Sequence, residues 1–402
     1  MRRWSMANYE FWLTDDSGTR LSLLSGSEQK LAFASYSRAV SGYGVLQIGL
    51  PYKPFSETLN PYFSPDWRVE AWRSPADGYA LRLDAVFLLR KPKVYTRLDG
   101  VTIIEFFGRS PIDLLNRRYI IQAAGSTYAK VLTATYADDI MKGIVRNQML
   151  YGSARDKDGS VDNDRAYPQN EFTVQANFSQ GPIVTRSFPE QNVLDVLREF
   201  SSATIQYQDI DPTQNKIYFD VVPVDIGGRT GFEFRTFSNL RGTDRTQQLE
   251  FSLENKNITQ PFYSIDHHDE VNVGIARGQG RGRSRPYQEI LDTIRINSSR
   301  WNRGEAIINT SSETDDSALE DAATALASER KPRETFYATF LNSPGSESTP
   351  RSLYGVDWDL GDRIRANYAG RQFLCEIMVV YVAIDENGQE NVTGRNLVGE
   401  LE

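Results

Sequence analysis

The stretch from Tyr354 to Glu402 constrains what this chain can fold into more than any other. Short runs of β-branched and aromatic residues alternate there with turn formers: 363–368 follows Leu360-Gly361-Asp362, and 373–384 lies between Gly370 and Asp385-Glu386-Asn387-Gly388. A glycine and an acid let the chain reverse before Ile364, Ala366 and Tyr368 alternate with charged or polar residues, the period of a strand with one wet face. The expectation is strand, turn, strand, turn, strand: a compact antiparallel module.

The same grammar fills residues 9–107. The runs 31–34, 45–50, 67–72, 81–89, 94–97 and 101–107 are short and separated by Gly, Pro, Asn, Asp or Ser. Trp67, Val69 and Ala71 alternate with Arg68 and Glu70, and Leu81 and Leu83 with Arg82 and Asp84, which predicts one wet face per strand in an antiparallel barrel or sandwich. Leu98-Asp99-Gly100 reads as a hairpin turn.

After residue 110 the period changes. Ser110 with Asp113, Thr135 with Asp138 and Ser187 with Glu190 read as capping boxes. They precede apolar stripes at Ile112, Leu115 and Tyr119, at Ile140, Ile144 and Met149, and at Val193, Leu194, Leu197 and Phe200. A strand over 216–222 follows the third helix. Phe232, Phe234 and Phe237, then Leu249, Phe251 and Leu253, return to strand spacing. A final helix is capped by Asp315 or Asp316, buries Leu319, Ala322, Ala323 and Leu326, carries Arg330 and Lys331 at its negative end, and stops at Pro332.

These periods give an α+β, mainly β chain in four modules: an N-terminal β-barrel module at 1–109, an α+β module at 110–229, a mixed module at 230–335 and a C-terminal β-barrel module at 336–402. A length of 402 residues agrees with several domains of about 100–200 residues each. The longest apolar run, Ile377 to Ile384, is far short of the ~20 residues that span a bilayer. Two N-terminal arginines without an apolar stretch behind them argue against Sec export. The single cysteine, Cys375, is expected as a small buried hydrophobe, with no disulfide framework. Residues 1–110 hold 14 Lys+Arg against 11 Asp+Glu, a balance of +3, so the remainder carries −11 of the net −8. An acidic surface of that kind disfavours phosphate-based recognition of nucleic acid.

Four constellations invite chemistry, and each has a simpler reading. The loop 277–285 carries Arg277, Arg281, Arg283 and Arg285 among Gly278, Gly280 and Gly282, but lacks phosphate-loop spacing and any interleaved aromatic, so it reads as a solvated or interface loop. Asp156, Asp158, Asp162 and Asp164 supply oxygens without the spacing of a calcium loop, so a polar turn is favoured over calcium binding. His267 and His268 are adjacent and point apart on an extended chain, which suits neither a shared metal nor a nucleophile's base. Carboxylate pairs for glycoside hydrolysis have no local signature and read as solvated faces. No catalytic, cofactor-binding or metal residue is assigned, and no cofactor is expected.

Four stretches taken in order carry a resemblance: residues 31–51, a strand, glycine turn and strand ending in Leu50-Pro51; 66–73; 107–118, with Leu114-Leu115 before Arg117-Arg118; and Tyr354-Gly355 with 358–362 and 396–399. Together they resemble the tail hub (baseplate hub, or tail-associated) proteins of long-tailed bacteriophages of the siphophage type, over nearly the whole chain. The resemblance implies a ring-forming homotrimer in which two barrels per subunit imitate sixfold symmetry, adapting a hexameric tail tube to a threefold tip and forming part of a DNA conduit. It implies as partners the distal tail protein ring, the tape measure protein C-terminus, and receptor-binding or tail-fibre proteins. DNA would pass only transiently, with no stable membrane insertion, in a virion tail tip assembled in the host cytoplasm. An acidic conduit wall would keep phosphates from sticking, in keeping with the net charge. The peptidoglycan-cleaving domain that follows some hubs is expected to be absent after Glu402. Two rivals stand beside this: a cell-wall hydrolase using a carboxylate pair, and a surface glycan-binding β protein presenting Trp4, Trp12 or Trp301.

Overall fold

The computed structural model describes residues 8–25, 31–52, 65–76, 78–121, 130–156, 159–188, 191–210, 213–280, 285–310, 316–396 and 399–401. The first stretch of chain is all strand: β1 (Asn8–Thr14), β2 (Arg20–Leu23), β3 (Phe33–Ala39), β4 (Val45–Pro51), β5 (Arg68–Ser74), β6 (Arg82–Thr96) and β7 (Thr102–Arg109). Helices then interleave: α1 (Asp113–Asn116), β8 (Lys130–Tyr136), α2 (Ala137–Met149), β9 (Phe172–Val174), β10 (Ile183–Phe188), α3 (Val193–Ile210), β11 (Ile217–Ile226), β12 (Arg229–Ser238) and β13 (Glu250–Ser252). The third part holds β14 (Ile258–Asp266), β15 (Val273–Arg277), β16 (Tyr287–Leu291), α4 (Thr293–Ile296), β17 (Glu305–Asn309), α5 (Asp316–Glu329) and β18 (Arg333–Leu341). The chain closes with β19 (Arg363–Tyr368), β20 (Arg371–Glu376), β21 (Val379–Ile384), β22 (Glu390–Arg395) and β23 (Gly399–Leu401).

The chain is α+β and mainly β, in two compact units: residues 1–260 with 338–397, and 261–337 with 398–402. In the first unit one sheet runs β18-β22-β21-β3-β4-β7-β6-β5-β1-β2. Its central seam is the antiparallel ladder from Val379↔Ala39 to Ile384↔Ala34, so the first and last modules of the sequence reading are parts of one sheet. Among the described residues this sheet is open, and the closure expected of two barrels is not observed.

Helices α2 and α3 cover the three-stranded sheet β11-β12-β9. Ile140, Ile144 and Met149 share a buried cluster with Val193, Leu194, Leu197 and Phe200 and with Phe219, Phe232 and Phe234. Each such side chain contributes about 1.5–3 kcal/mol on burial. The apolar stripes that the sequence placed on these helices are the faces they bury.

The first two expected capping boxes are not formed, and the third lies partly outside the described residues. Ser110 Oγ accepts from the backbone N–H of Gly44, 2.9 Å away. The helix behind it shrinks to the four residues of α1, leaving Tyr119 59% exposed. Asp138 reaches out of α2 to the N–H of Gln180 at 2.7 Å and to Lys142 Nζ at 3.0 Å. The third box includes Glu190, which lies outside the described residues; the cap of α3 is Asn192, whose Oδ1 accepts from Leu194 N–H at 3.0 Å. At Ser110 and Asp138 tertiary contacts engage the side chain in place of the local turn.

Three further expectations are corrected. The runs 81–89 and 94–97 are one long strand, β6, and the run 373–384 is two, because the chain breaks at Ile377-Met378 between β20 and β21. The break lets β20 pair with β19 while β21 joins the large sheet. The wet face expected of Arg68 and Glu70 also fails on β5, where they are 5% and 2% exposed, and Arg73 on the opposite face is 0% exposed. This strand is covered on both sides, and its charges are paired rather than solvated.

The second unit has a three-stranded sheet, β16-β15-β17, with α5 on one face. Leu319 and Ala323 of α5 pack on Ala276. A side chain at Gly274 would put its Cβ 2.1 Å from the carbonyl oxygen of Ala323, so the close approach of helix to strand requires glycine. Asp315 lies outside the described residues, and α5 begins at Asp316 and ends at Glu329, ahead of Pro332. Among the described residues no helix is long and apolar enough to cross a membrane.

Candidate functional site

The densest polar chemistry of the first unit lies where the first and last strands meet. Tyr354, fully buried, stands between them. Its hydroxyl donates to Asp84 Oδ1 at 2.9 Å and accepts from Arg38 Nη1 at 2.6 Å. Its carbonyl accepts from Arg73 Nη1 at 2.9 Å, and its N–H donates to Asn342 Oδ1 at 2.9 Å. Arg38 also reaches Asp84 Oδ1 and Asp359 Oδ1, both at 3.0 Å, and Tyr36 donates to the other oxygen of Asp84 at 2.6 Å. Tyr36, Arg38, Arg73 and Asp84 come from β3, β5 and β6; Asn342, Tyr354 and Asp359 lie in the last 65 residues.

A second cluster is built on Arg73, which has no exposed surface. Its guanidinium grips Glu390 of β22 through Nη2–Oε1 at 2.6 Å and Nε–Oε2 at 3.1 Å. Tyr9 of β1 donates to the same carboxylate at 2.5 Å, and Asn342 Nδ2 donates to it at 2.9 Å. The aromatic ring of Tyr354 lies 4.9 Å from the guanidinium, a cation–π contact in a dry setting. Two strands that are 317 residues apart are thereby joined through one bidentate pair.

Burial raises Tyr36 and Tyr354 well above the ordinary phenol value, with the charge of Asp84 adding to it, so both hydroxyls stay protonated and remain donors. Burial works against the charge on Arg38 and Arg73, but Tyr354, Asp359 and Asp84 around the first and Tyr9 and Glu390 around the second outweigh it, and both stay cationic. At Asp359 burial pushes the carboxyl up, while Arg38 and Arg82 pull it down further, leaving it below its usual value. Asp362 is the reverse, raised by burial despite its hydrogen bonds.

Asp362 ends the Leu360-Gly361-Asp362 turn that the sequence marked as a reversal. Gly361 has φ +85°, and a Cβ there would lie 2.7 Å from that of Arg241. Both oxygens of Asp362 are engaged, Oδ1 by Thr243 N–H at 2.7 Å and Oδ2 by Asp359 N–H at 2.8 Å. Asp359 and Asp362 thus fasten this turn to the strands and loop around it. A similar knot ties β20 to β11: Glu376 accepts from Lys216 Nζ and Tyr218 OH at 2.6 Å each, and from Arg363 Nη2 at 2.9 Å.

The residues that the sequence singled out for chemistry lie elsewhere and are not brought together. His267 Nδ1 pairs with Glu270 and His268 Nδ1 with Asp266, each at 2.7 Å and each on the surface. Asp156 accepts from Ser160 N–H at 3.1 Å and Asp162 from Asp164 N–H at 3.0 Å, as turn-forming side chains do; Asp158 lies outside the described residues. Arg285 Nε donates to the carbonyl of Gly278 at 2.6 Å, closing the base of the Gly/Arg loop, while Arg281 and Arg283 lie outside the described residues. Among the described residues no three His, Cys, Asp or Glu side chains converge as a metal site would require. Trp301 is 91% exposed, Trp12 lies beside Arg20 at 4.7 Å, and Trp4 is outside the described residues. Cys375 is buried. The sequence reading missed Arg73, Asp84 and Glu390; the available signal was charge on strands otherwise rich in apolar residues.

Comparison with known proteins gives the following. A family model described as Siphovirus ReqiPepy6 Gp37-like protein matches residues 86–394. No curated protein matches. Among solved structures, the tail protein from Neisseria meningitidis MC58 is similar with a TM-score of 0.50 and 12% identity, over 98% of this chain and 97% of that one. The 43 kDa tail protein of prophage MuSo2 from Shewanella oneidensis has a TM-score of 0.49 at 9% identity over 96% and 97%. Prophage tail protein gp18 from Listeria monocytogenes EGD-e has 0.43 at 10% over 96% and 94%.

Proposed function

The chain belongs to the Siphovirus ReqiPepy6 Gp37-like family, and from that membership we propose that it is a non-enzymatic structural hub of a phage or phage-like tail tip. In this reading three copies form a ring that adapts the hexameric tube and distal tail ring to a threefold tip and lines part of the DNA path. The tape measure protein C-terminus and the receptor-binding or tail-fibre proteins are its further neighbours, and assembly takes place in the host cytoplasm.

The observation that carries this reading is the single sheet in which β3 and β21 are adjacent, pinned by the Arg73–Glu390 pair. A ring component must pass load between its parts, and a ladder locked by a buried bidentate pair resists shear where a hinged pair of domains would not. The match to the fold of a tail protein over nearly the full length of both chains supports it. So does charge: three copies at −8 each sum to −24, which repels a passing phosphate backbone.

Sedimentation or light scattering of the full chain tests the proposal. The expected mass is three times 45.6 kDa. A monomer that persists at tens of micromolar, both alone and with the distal tail protein of the same phage, overturns the ring. Zymography on purified cell wall is expected to give no clearing; clearing that disappears on replacing a single carboxylate would revive the hydrolase.

A further inference from the structure

The +3 of residues 1–110 comes from one hairpin. Residues 89–109, most of β6 and β7, hold Arg90, Lys91, Lys93, Arg97 and Arg109 against Asp99 and Glu105, five less two, so the rest of the first 110 residues is neutral. β5 stays beside β6 only to Leu88 in the ladder, and Leu89 makes the last backbone bonds, to Asp66 and Trp67. From Arg90 to Thr96 the described residues pair β6 with β7 alone. The register slips between Leu89 and Lys91, so Arg90 is an extra residue, a bulge.

At that bulge lies a groove of about 380 Å³. Its floor is apolar, from Val45, Leu88 and Phe107, and Val45 is 49% exposed. Its rim is basic, from Arg90, Lys91 and Arg109. Arg90 is held by Asp66 at 3.1 Å and Arg109 by Asp113 at 3.0 Å. Lys91 has no carboxylate within ion-pair reach among the described residues and lies 5.7 Å from the ring of Phe107. Counting Asp66 and Asp113, and the Arg117 that both acids share, the patch keeps +3 − 2 + 1 = +2 in a chain of net −8.

We propose that this groove docks an extended, acidic segment of a protein partner, with one aliphatic or aromatic side chain on the floor and flanking carboxylates on Lys91, Arg90 and Arg109. A phosphate backbone could use the rim but gains nothing from the floor, whereas an acidic peptide with an apolar anchor uses both. Pro92 removes an N–H from the strand edge, and Lys91 and Lys93 flank it. Such an edge discourages indiscriminate strand addition and leaves recognition to side chains. The inference stands whether or not the chain forms a ring.

Fluorescence anisotropy of the full chain decides it. The probes are labelled ten-residue peptides alternating Asp or Glu with Val, Leu or Phe; the same peptides with Lys for the acids; all-acidic peptides; and ten-nucleotide oligo-dT. At least one acidic, apolar peptide is expected to bind with Kd of about 10–100 µM at low salt and to weaken as salt rises. Lys91→Glu and, separately, Val45→Asp are each expected to weaken it at least about tenfold, with unchanged thermal melting because both side chains are exposed. Absence of binding by every acidic peptide at about 1 mM overturns the proposal. So does tighter binding of oligo-dT, or peptide binding that both variants leave intact.

Discussion

The two compact units use charge and apolar surface in opposite ways. In the first, charged side chains are drawn inside: Arg73 and Glu390 form a pair 0% and 6% exposed, and Tyr354, Asp84 and Asp359 surround Arg38. In the second, apolar side chains stay outside. The sheet face opposite α5 exposes Tyr287, Leu291 and Ile307 at 62%, 47% and 48%, and Trp301 stands at 91%. Buried pairs of the first kind are costly to desolvate and cost far more to break, so they specify one arrangement rather than simply adding stability. Open apolar faces of the second kind contribute nothing to the monomer and have value only against another surface. Buried charge therefore fixes the strand arrangement of the first unit, while the second leaves one sheet face open to another surface.

The largest effect that would test this contrast is at Arg73. Arg73→Met removes a fully buried cation and leaves Glu390 charged beside Tyr9, so the first unit is expected to lose about 3–5 kcal/mol in urea unfolding. Adding Glu390→Gln to the same chain is expected to recover part of that loss, because the stranded charge is gone. A single-variant loss under about 1 kcal/mol would mean that the pair is solvated and the clamp idea wrong.

Next is the turn at Gly361. Gly361→Ala places a Cβ at positive φ and within 2.7 Å of Arg241 Cβ, with an expected loss of about 1–3 kcal/mol in the same unfolding measurement. Gly388, in the hairpin between β21 and β22, has φ +74° but open space around it, so alanine there should cost less. Equal losses at the two glycines would remove the steric part of the argument.

The pH dependence comes third. Asp359 has a lowered folded value, so the stability it contributes is present above the ordinary carboxylate pKa, about 3.9, and is lost as pH falls through the lower folded one. Asp362 has a raised folded value, so its contribution is present below that ordinary value and is lost as pH rises through the raised one. Asp359→Asn should therefore flatten the fall in melting temperature on the acid side, and Asp362→Asn should steepen it. The same direction of change in both variants would contradict the opposed environments.

Much of this fold was legible because a strand's period is local. The run 363–368 is β19 to the residue, and the stripes on α2 and α3 are the ones buried. What was not legible depended on partners far along the chain. Ser110 caps nothing because Gly44 takes its hydroxyl, and Arg68 and Glu70 looked like a wet face because alternation cannot tell a solvated charge from one paired across the sheet. The break at Ile377-Met378 was hidden for the same reason: both halves of 373–384 are apolar, and only the two different sheets they enter separate them. The polar clusters at Tyr354 and Arg73 draw on both ends of the sequence, so no window of neighbouring residues could contain them.

The smallest effect on folding is expected where the contrast is sharpest. Ile307→Ser and Trp301→Ser replace side chains that touch mostly solvent, so each should change stability by no more than about 0.5 kcal/mol. If the open face of the second unit is an assembly surface, the pair of substitutions should still lower the apparent mass of the full chain in sedimentation at a concentration where the parent chain associates. If it is only exposed, mass and stability will both stay where they were. Because the monomer loses nothing in either case, a drop in mass cannot be attributed to unfolding, and the measurement separates a surface kept for a partner from one that is simply uncovered.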